Sequence, residues 1–548
     1  VLMAEAFVGY VLPWGQMSYW GAQVIISLFG AIPVVGDDLV TWIRGDYLIS
    51  GITLNRFFAL HVVALPIVLL ALVVLHLLAL HEVGSNNPDG VDIKKVKDEN
   101  GVPLDGIAFH PYYSVHDLQA LGVFLFIFCA IVFFLPEMGG YFLEYANFEE
   151  ANSLKTPEHI APVWYFTPFY SVLRAVPDKF WGFVAFAASV AIPFMLPWLD
   201  RSPVNSWRYR GNITKVMLVL FTASFLILGV LGVRAPTPGR TALAQVCSII
   251  YCAFVLLMPI WTSLDRTKPV PKRVTMDGGI GFWGSMGGLA LILALTILPL
   301  KAVGADAAYK CGSIPCDDFK ADPHDKASLQ NGARLYMNYC MGCHSLKYAR
   351  YNRVAEDLGI PEDLFEANLM FDPNTKIGSL MDNAMDDGNA KVWFGATPPD
   401  LTLVSRARQP EWLYTYLRTF YKDPSRPYGV NNKVFKDVGM PHVLLELQGM
   451  QECAMGPVTA SNGGVKRDPL TGQDVLEDPC GNFSITEAGE LSPEEFDDAM
   501  YDLVNFMAYM SEPMVADRHR IGTYVLMFIV LFFVLASLLN REYWKDVH

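Results

Sequence analysis

The sequence predicts an all-α, multi-span membrane helical bundle, followed by a mainly α soluble domain and a C-terminal transmembrane anchor. Apolar residues make up 52% of the 548 residues and charged residues only 18%, a composition typical of membrane proteins. Several apolar runs are long enough to cross a bilayer core about 30 Å thick. The predicted spans lie at 56–81, 115–135, 180–199, 213–233, 241–263, 282–300 and 521–539.

Composition divides the chain into four parts. Residues 1–275 form the membrane domain, 276–310 a linker, 311–520 the soluble domain, and 521–548 the anchor with a short cytoplasmic tail. The stretch 302–517 contains 33 acidic and 18 basic residues, and its net charge of −15 accounts for essentially all of the chain's −14. This acidic charge argues against nucleic acid as a partner.

The orientation in the membrane follows from the lysines and arginines of the short loops, which favour the cytoplasmic side. Three loops carry such clusters, namely Lys94, Lys95 and Lys97, then Arg201, Arg208 and Arg210, then Arg266, Lys268, Lys272 and Arg273. Alternation across the spans then places the loop 136–179 and the soluble domain in the periplasm. The stretch 284–308 is either a retained span or an internal export signal that is cut near Ala305–Ala308.

Besides Cys340 and Cys343, four cysteines belong to the predicted periplasmic part, where disulfides persist. Cys453 and Cys480 flank a segment rich in Gly, Asp and Pro, and we expect them to pair, with two free thiols as the alternative. Cys311 and Cys316 are close enough in sequence to pair separately.

The run Cys340-Met341-Gly342-Cys343-His344 is the attachment signature of a c-type haem. Two thiols bond the haem vinyl groups, and the neighbouring histidine ligates the iron. The alternatives are a redox dithiol or half a zinc site, but no second C-x-x-C occurs in the sequence. A methionine as sixth ligand suits a high-potential carrier. The soluble domain offers several methionines, and Met440 is one candidate among them, because the glycine and proline on either side of it indicate a fixed loop.

Two histidines, His61 and His76, lie in one apolar predicted helix, where ionisable side chains are costly and usually functional. Fifteen residues at 100° each end within about 60° of a whole number of turns and rise about 22 Å. The two imidazoles therefore lie near one face, one toward each side of the bilayer. Two haems stacked across a membrane need this layout. The alternative is a pair of core histidines hydrogen-bonded to neighbouring helices.

Three segments resemble cytochrome b, and the resemblance covers roughly 1–275. They are GYVLPWGQMSYWGAQVI (9–25), the helix with both histidines, and FHPYYSVHD (109–117). The resemblance implies that His61 serves a low-potential b haem on the periplasmic side, with Arg56 before it, and that His76 serves a high-potential b haem. The family's first two spans, which supply the opposite histidines, are absent, so we expect an N-terminally truncated copy of a longer protein.

The later part, 320–548, resembles the haem-c subunit of bacterial respiratory complex III. The matching segments are NYCMGCHSLKYARYNRVAEDLGI (338–360), GATPPDLTLVSRAR (395–408), the Gly-Met-Pro loop and the terminal REYWKDVH. The resemblance implies axial His344 and Met440, Arg408 near a haem propionate, and electron transfer to a soluble cytochrome c. The acidic surface fits such an acceptor, because these carriers are usually basic.

The cytochrome b resemblance also implies a quinone site at each face of the membrane. At the cytoplasmic edge the matching residues, which could also be an ordinary interfacial cap, are His81, Ser85, Asn86 and Asp117. On the periplasmic side Tyr10 belongs to the wall of the quinol-oxidation pocket, and Tyr170 and Arg174 match downstream. The family's Pro-Glu-Trp-Tyr motif is here Pro162-Val163-Trp164-Tyr165, with valine in place of glutamate.

A valine cannot carry protons, so another acid is expected to do so. Glu5, four residues before Gly9 in the same wall helix, is the predicted substitute. The alternative is a structural ion pair between Glu5 and a residue of a span that the sequence lacks.

Together these features predict a fused cytochrome b and haem-c subunit of a ubiquinol–cytochrome c oxidoreductase in the bacterial inner membrane. It would hold two b haems and one covalent haem c, use ubiquinone, and work in a dimeric complex. The sequence contains no Rieske Cys-His pattern, so the Rieske iron–sulfur protein must be a separate partner. Two alternatives remain: an anchored electron carrier with a non-catalytic b part, or a precursor whose halves separate.

Overall fold

The computed structural model describes most of the chain as two compact units, Val1–Ala307 with Val525–His548, and Ala308–Tyr524. The described residues are 1–157, 160–274, 311–312, 314–453, 456–457, 465, 467, 472–473, 476–477 and 483–547. The predicted span 282–300 and the ambiguous stretch 284–308 lie outside them.

The first unit is helical throughout its described part. Its helices are α1 (Leu2–Val11), α2 (Gln16–Leu28), α3 (Gly36–Arg44), α4 (Gly51–Ala59), α5 (Leu65–Val83), α6 (Ser114–Phe134), α7 (Thr167–Ala175), α8 (Lys179–Ala191), α9 (Leu196–Leu199), α10 (Asn212–Val233), α11 (Pro238–Leu256) and α12 (Met258–Leu264).

Six continuous helical stretches of the described residues are long and apolar enough to cross a membrane, which confirms the predicted multi-span fold. They are Gly51–Val83, Phe109–Phe134, Lys179–Leu199, Asn212–Val233, Pro238–Leu256 and Val515–Val547. The predicted run 241–263 is divided, because α11 ends at Leu256 and α12 begins just before Pro259. A proline has no N–H with which to continue the helical hydrogen bonds, so the break falls there.

The stretch Gly51–Val83 is not a regular helix. Ser50 and Thr53 form a capping box at its start, and Gly84, with φ of 87°, follows its last residue. Leu60–Ala64 form a π-helical turn between α4 and α5. Pro66 follows closely and cannot donate to the carbonyl four residues earlier, which favours such a local widening of the helix.

The second unit holds the remaining described helices around one apolar core. They are α13 (Lys326–Tyr339), α14 (Tyr351–Leu358), α15 (Glu362–Leu369), α16 (Asp387–Phe394), α17 (Val404–Arg408), α18 (Pro410–Arg418), α19 (Leu445–Gln448) and α20 (Pro493–Ser511), while α21 (Val515–Trp544) continues into the first unit.

The core of this unit is the packing of α13 on α20. Gly332 permits a close approach, because a Cβ atom there would lie 2.1 Å from the Asp502 carbonyl oxygen. Tyr336, Leu503 and Phe506 are fully buried between the two helices. Burial of this kind contributes about 1.5–3 kcal/mol for each large apolar side chain. These two helices therefore hold the N-terminal and C-terminal parts of the unit together.

Strands are short and paired in twos, so the unit is mainly α as predicted. The strands are β1 (Leu346–Arg350), β2 (Leu380–Met381), β3 (Phe420–Lys422), β4 (Val430–Asn432), β5 (Gly449–Cys453), β6 (Gly456–Pro457), β7 (Leu476–Glu477) and β8 (Phe483–Ala488). The antiparallel pairs are β1–β2, β3–β4, β5–β8 and β6–β7. The predicted anchor 521–539 lies within α21, a helix of 30 residues.

The structure bears on both disulfides that the sequence predicted for the soluble domain. Cys311 and Cys316 form a disulfide, which confirms that they pair separately. Cys453 is also disulfide-bonded, but Cys480, its expected partner, lies outside the described residues.

Candidate haem and quinone sites

The C-x-x-C-H segment lies at the C-terminal end of α13. The helix ends at Tyr339, and the amides of Cys343 and His344 donate to the Cys340 carbonyl in a tight turn. Both cysteines are free thiols. Burial raises the pKa of Cys340 to about 12 and also raises the pKa of Cys343. Two free thiols in this turn, with a histidine directly after the second, fit covalent haem attachment.

His344 is oriented by its own chain. Its Nδ1 lies 2.7 Å from the Pro399 carbonyl oxygen, and the Tyr336 hydroxyl donates to the His344 carbonyl at 2.8 Å. A carbonyl can only accept, so Nδ1 carries the proton and Nε2 keeps its lone pair. Burial lowers the pKa of His344, which keeps the ring neutral. A neutral imidazole with a free Nε2 is the form that binds iron.

Met440 lies in the predicted loop, between β4 and α19. It packs against the buried cluster of Phe420, Val430 and Val438, and its sulfur accepts a hydrogen bond of 3.3 Å from the Tyr416 hydroxyl. The thioether is thus held in an apolar setting with a polar contact on its sulfur. This environment suits a methionine that ligates a high-potential haem.

Two aromatic rings of α18 lie between this methionine and Arg408, the last residue of α17. The Tyr416 ring stacks on Trp412 with centroids 4.9 Å apart, and the Arg408 guanidinium lies 5.6 Å from the Trp412 ring centroid. Trp412 and Tyr416 are four residues apart on α18 and therefore lie on one side of it, while Arg408 precedes the break at Gln409, whose φ is 67°. The structure therefore joins Arg408 and Met440 through two stacked aromatic rings, a link that the sequence had not indicated.

His442 is a further buried group beside this loop. It is 7% exposed, its ring stacks on Phe420 with centroids 5.0 Å apart, and among the described residues neither ring nitrogen makes a hydrogen bond of standard geometry. Burial lowers its pKa to about 4, so the ring is neutral at physiological pH. Sequence reasoning had not singled out this histidine, which lies two residues after Met440.

In the membrane unit, His61 contacts Glu5. The Nδ1 atom of His61 lies 3.1 Å from the Glu5 carbonyl oxygen and 3.0 Å from its carboxylate Oε1. Gly9 makes room for the ring, since a Cβ atom there would lie 2.4 Å from His61 Cε1. As in His344, Nδ1 is engaged by acceptors and Nε2 is left for a ligand. The sequence had predicted Glu5 beside the quinol motif, whereas the structure places its carboxylate on the candidate haem ligand.

Arg56 and His76 lie on the same long helical stretch as His61. The Arg56 guanidinium donates to the Trp42 carbonyl at 2.6 Å, which ties α4 to α3. His76 is exposed in this chain. No residue in the most apolar part of the stretch Gly51–Val83 is buried. His61 lies in a π-helical turn, which contains more residues than an α-helical turn. The angle between the two histidines that was calculated for a regular α-helix therefore does not apply.

The cytoplasmic-edge residues occupy two helix ends. His81 lies in the last turn of α5, Ser85 and Asn86 follow it, and Asp117 lies in the first turn of α6. All four are exposed. Among the described residues, no hydrogen bond or ion pair links His81, Ser85 or Asp117 to a neighbouring side chain. Their polar atoms are therefore available to a ligand, but no described contact brings the four together.

The periplasmic motif begins a short helical segment. Pro162 and Val163 are extended, and Trp164–Phe166 form a 3-10 turn that leads into α7. Trp164 stacks on Tyr141, with ring centroids 6.0 Å apart. Downstream, the Arg174 guanidinium lies 4.6 Å from the Tyr170 ring centroid and donates to backbone carbonyls at the end of α10.

A carboxylate that sequence reasoning missed lies beside this motif. The Tyr10 hydroxyl donates to Glu144 Oε2 at 2.6 Å, and the charge of Glu144 helps to raise the pKa of Tyr165. Glu144 is 134 positions from Tyr10 in a loop without hydrophobic periodicity. No sequence pattern could have found this pair.

Three family models match consecutive parts of the chain. Cytochrome b/b6/petB matches residues 1–84, Cytochrome b(C-terminal)/b6/petD matches 150–252, and the Cytochrome C1 family matches 318–456 and 483–547.

Curated relatives divide in the same way. Cytochrome b of Allochromatium vinosum is 57% identical over 283 residues, which are 50% of this chain and 68% of that protein. Cytochrome c1 of the same organism is 48% identical over 260 residues, 47% of this chain and 98% of that protein. Cytochrome b/c1 of Bradyrhizobium diazoefficiens is 31% identical over 579 residues, 100% of this chain and 80% of that protein.

Among solved structures, one chain titled "Hyperthermophilic respiratory Complex III" aligns with 38% sequence identity over 48% of this chain and 67% of that chain. Its TM-score of 0.44 is too low to add to the assignment. The full-length match to a fused relative, and the order of the three family models, are enough on their own. The chain belongs to the cytochrome b/c1 family, the fused cytochrome b and cytochrome c1 proteins of respiratory complex III.

Proposed function

We propose how the work of this quinol–cytochrome c oxidoreductase subunit is divided along its chain. Quinol is oxidised on the periplasmic side, beside Tyr10 and the segment Pro162–Tyr165. His61 and His76 would hold b haems, which would supply the electron path across the membrane, and quinone would be reduced at the cytoplasmic edge. The other electron reaches a covalent haem c held by Cys340, Cys343, His344 and Met440.

The observation that carries this proposal is shared by His344 and His61. In both, Nδ1 faces an acceptor of the chain itself, at 2.7 Å and 3.0 Å respectively, and Nε2 is left unpaired among the described contacts. This arrangement fixes the tautomer and the ring plane of a haem ligand before the haem binds.

The haems, when bound, supply one-electron transfer, and the chain's residues supply position and protons. Met440 would help to hold haem c through its sulfur, and Arg408 would pair with a propionate. On the cytoplasmic side His81 and Asp117 deliver protons to quinone, while Ser85 and Asn86 offer hydrogen bonds. We propose two b haems, one haem c and ubiquinone as the substrate.

The partners follow from the same division. A separate Rieske protein would take the first electron from quinol and reduce haem c, which then reduces a soluble cytochrome c. The 33 acidic and 18 basic residues of 302–517 suit a basic acceptor. We place the chain in a bacterial inner membrane, in a dimeric complex, with 1–275 as the b domain, 276–310 as linker, 311–520 as the periplasmic haem-c domain and 521–548 as anchor and tail.

The test is the haem content of the purified complex, measured from the pyridine haemochrome spectrum, together with quinol-dependent reduction of cytochrome c. Two b haems for each haem c, with quinol activity, is the expected result. One haem c and no b haem would instead identify an anchored electron carrier with a non-catalytic b part.

A further inference from the structure

The loop after α6 carries a carboxylate, that of Glu144, which has no role in the function proposed above. Glu144 Oε2 accepts a hydrogen bond of 2.6 Å from the Tyr10 hydroxyl. Among the described residues this is the only hydrogen bond to the carboxylate, so Oε1 keeps its lone pairs for another donor. A single strong contact on one oxygen leaves the other able to receive a proton.

The fold fixes this loop against the helix start that follows Tyr10. The Gln16 amide donates to the Glu149 carbonyl at 2.9 Å, and the Ala151 amide donates to the Trp14 carbonyl at 3.0 Å. The Asn147 side chain accepts from the Ser18 amide at 2.8 Å. Gly15 is needed for this approach, because a Cβ atom there would lie 2.1 Å from the Asn147 carbonyl oxygen. The contact between Glu144 and Tyr10 is therefore supported by several hydrogen bonds between this loop and the start of α2.

The same loop contacts the quinol motif. Tyr141, three residues before Glu144, stacks on Trp164. Burial, and after it the charge of Glu144, raises the pKa of Tyr165. Glu144 thus lies between Tyr10 and a motif whose second residue, Val163, has no proton-carrying group.

The electrostatics of Glu144 suit proton exchange. Burial raises its pKa to about 7, although the hydrogen bond from Tyr10 acts in the opposite direction. A carboxylate with a pKa near the working pH can accept a proton and release it again, which is the property required of a general base.

Glu5, the acid expected from the sequence to have this role, is committed elsewhere. Its Oε1 lies 3.0 Å from His61 Nδ1, and its Oε2 is buried without a hydrogen-bond partner in the described part of the chain. A carboxylate in that position orients a haem ligand.

We propose that Glu144 is the proton acceptor of the quinol-oxidation pocket and takes over the role that Val163 cannot perform. This inference rests on the proposed function. Oxidation of one quinol releases two electrons, taken by the Rieske cluster and a b haem, and two protons. Glu144 takes one of these protons on its carboxylate, either from the quinol hydroxyl or through the Tyr10 hydroxyl, and then releases it to the periplasmic water.

The experiment is Glu144→Gln in the complete complex, with Glu150→Gln, an exposed acid of the same loop, as the matched control. Glutamine keeps the size and can still accept from Tyr10, but it cannot take up a proton. We expect the rate of quinol oxidation to fall about 100-fold, the scale of a lost general base. Haem content and haem potentials should stay at wild-type values, and the control should oxidise quinol normally.

Two further readouts separate a chemical role from a structural one. The redox-difference infrared spectrum of the wild type should contain a carboxylic C=O band that disappears in Glu144→Gln but not in the control. Adding Val163→Glu to Glu144→Gln should restore part of the rate, because it returns a carboxylate to the motif.

An unchanged rate and infrared spectrum in Glu144→Gln would overturn the inference. A slow Glu5→Gln variant beside a normal Glu144→Gln variant would also overturn it, and would return the role to Glu5. In both cases the wild-type complex still oxidises quinol. A wild-type complex that cannot oxidise quinol would overturn the proposed function itself, so the two failures are distinguishable.

Discussion

At the scale of single residues, acceptors from distant parts of the chain hold the proposed haem ligands in place. His344 relies on a carbonyl 55 positions away, and His61 relies on Glu5, 56 positions away. The sequence indicated the ligands because their own surroundings are unusual: a C-x-x-C-H run, and histidines in an apolar helix. It could not indicate the acceptors, because a glutamate or a proline carbonyl carries no signal of what it will contact after folding.

A substitution of Met440 tests ligation of the haem iron separately from covalent attachment of the haem. Met440→Leu should leave haem bonded to Cys340 and Cys343, because the thioether bonds do not involve the sixth ligand. The reduction potential should fall by a large margin, since a methionine ligand raises the potential of a c-type haem. Potentiometric titration of the haem c absorbance measures this fall, and reduction by the Rieske protein should be blocked.

Met450 is the matched control for that variant. It packs against the same apolar cluster as Met440 but lies in strand β5, so it tests the loss of a buried methionine alone. Met450→Leu should keep the wild-type potential. If Met440→Leu kept it too, Met440 would not be the ligand, and Met450, His442 and Met455, which lies outside the described residues, would be the next candidates.

At the scale of elements, prolines explain where the sequence-based boundaries differ from the structure. Apolar length predicted the spans well, because every long run of the described residues became helical. It did not predict the break before Pro259 or the π-helical turn before Pro66, since both depend on how one missing N–H is accommodated. The loop 141–155 was unpredictable for a different reason, because hydrogen bonds to α2 and its start fix its shape.

The disulfides of the second unit belong to this scale as well. Cys453 ends strand β5 and is disulfide-bonded, and we predict that Cys480 is its partner. A bridge that closes a loop of this size contributes on the order of 3 kcal/mol, mainly by restricting the unfolded chain. Peptide mapping of unreduced protein should yield the two cysteine peptides joined. Alkylation of Cys480 without prior reduction would contradict the pairing.

At the scale of the whole molecule, this chain combines a cytochrome b part and a cytochrome c1 part. In some relatives these are separate proteins, and in another they are fused. Cytochrome c1 of Allochromatium vinosum is covered to 98% by about half of this chain, whereas the fused relative aligns with all of it. The two parts also differ in charge, since the acidic excess lies almost entirely in 302–517. Under the proposed orientation, the soluble part of such a fusion would be carried across the membrane after the last basic loop.

The orientation of the chain in the membrane can be tested by labelling cysteines introduced on its two sides. Asn374 is an exposed position of the haem-c unit, and Lys97 is an exposed position of a basic loop between two spans. Because basic loops stay in the cytoplasm, a membrane-impermeant maleimide should label Asn374→Cys in intact spheroplasts and label Lys97→Cys only after lysis. The size of the labelled Asn374→Cys band separates a retained span at 284–308 from a signal that is cut. Labelling of Lys97→Cys from outside, with Asn374→Cys protected, would reverse the orientation and place the acidic surface out of reach of a periplasmic cytochrome c.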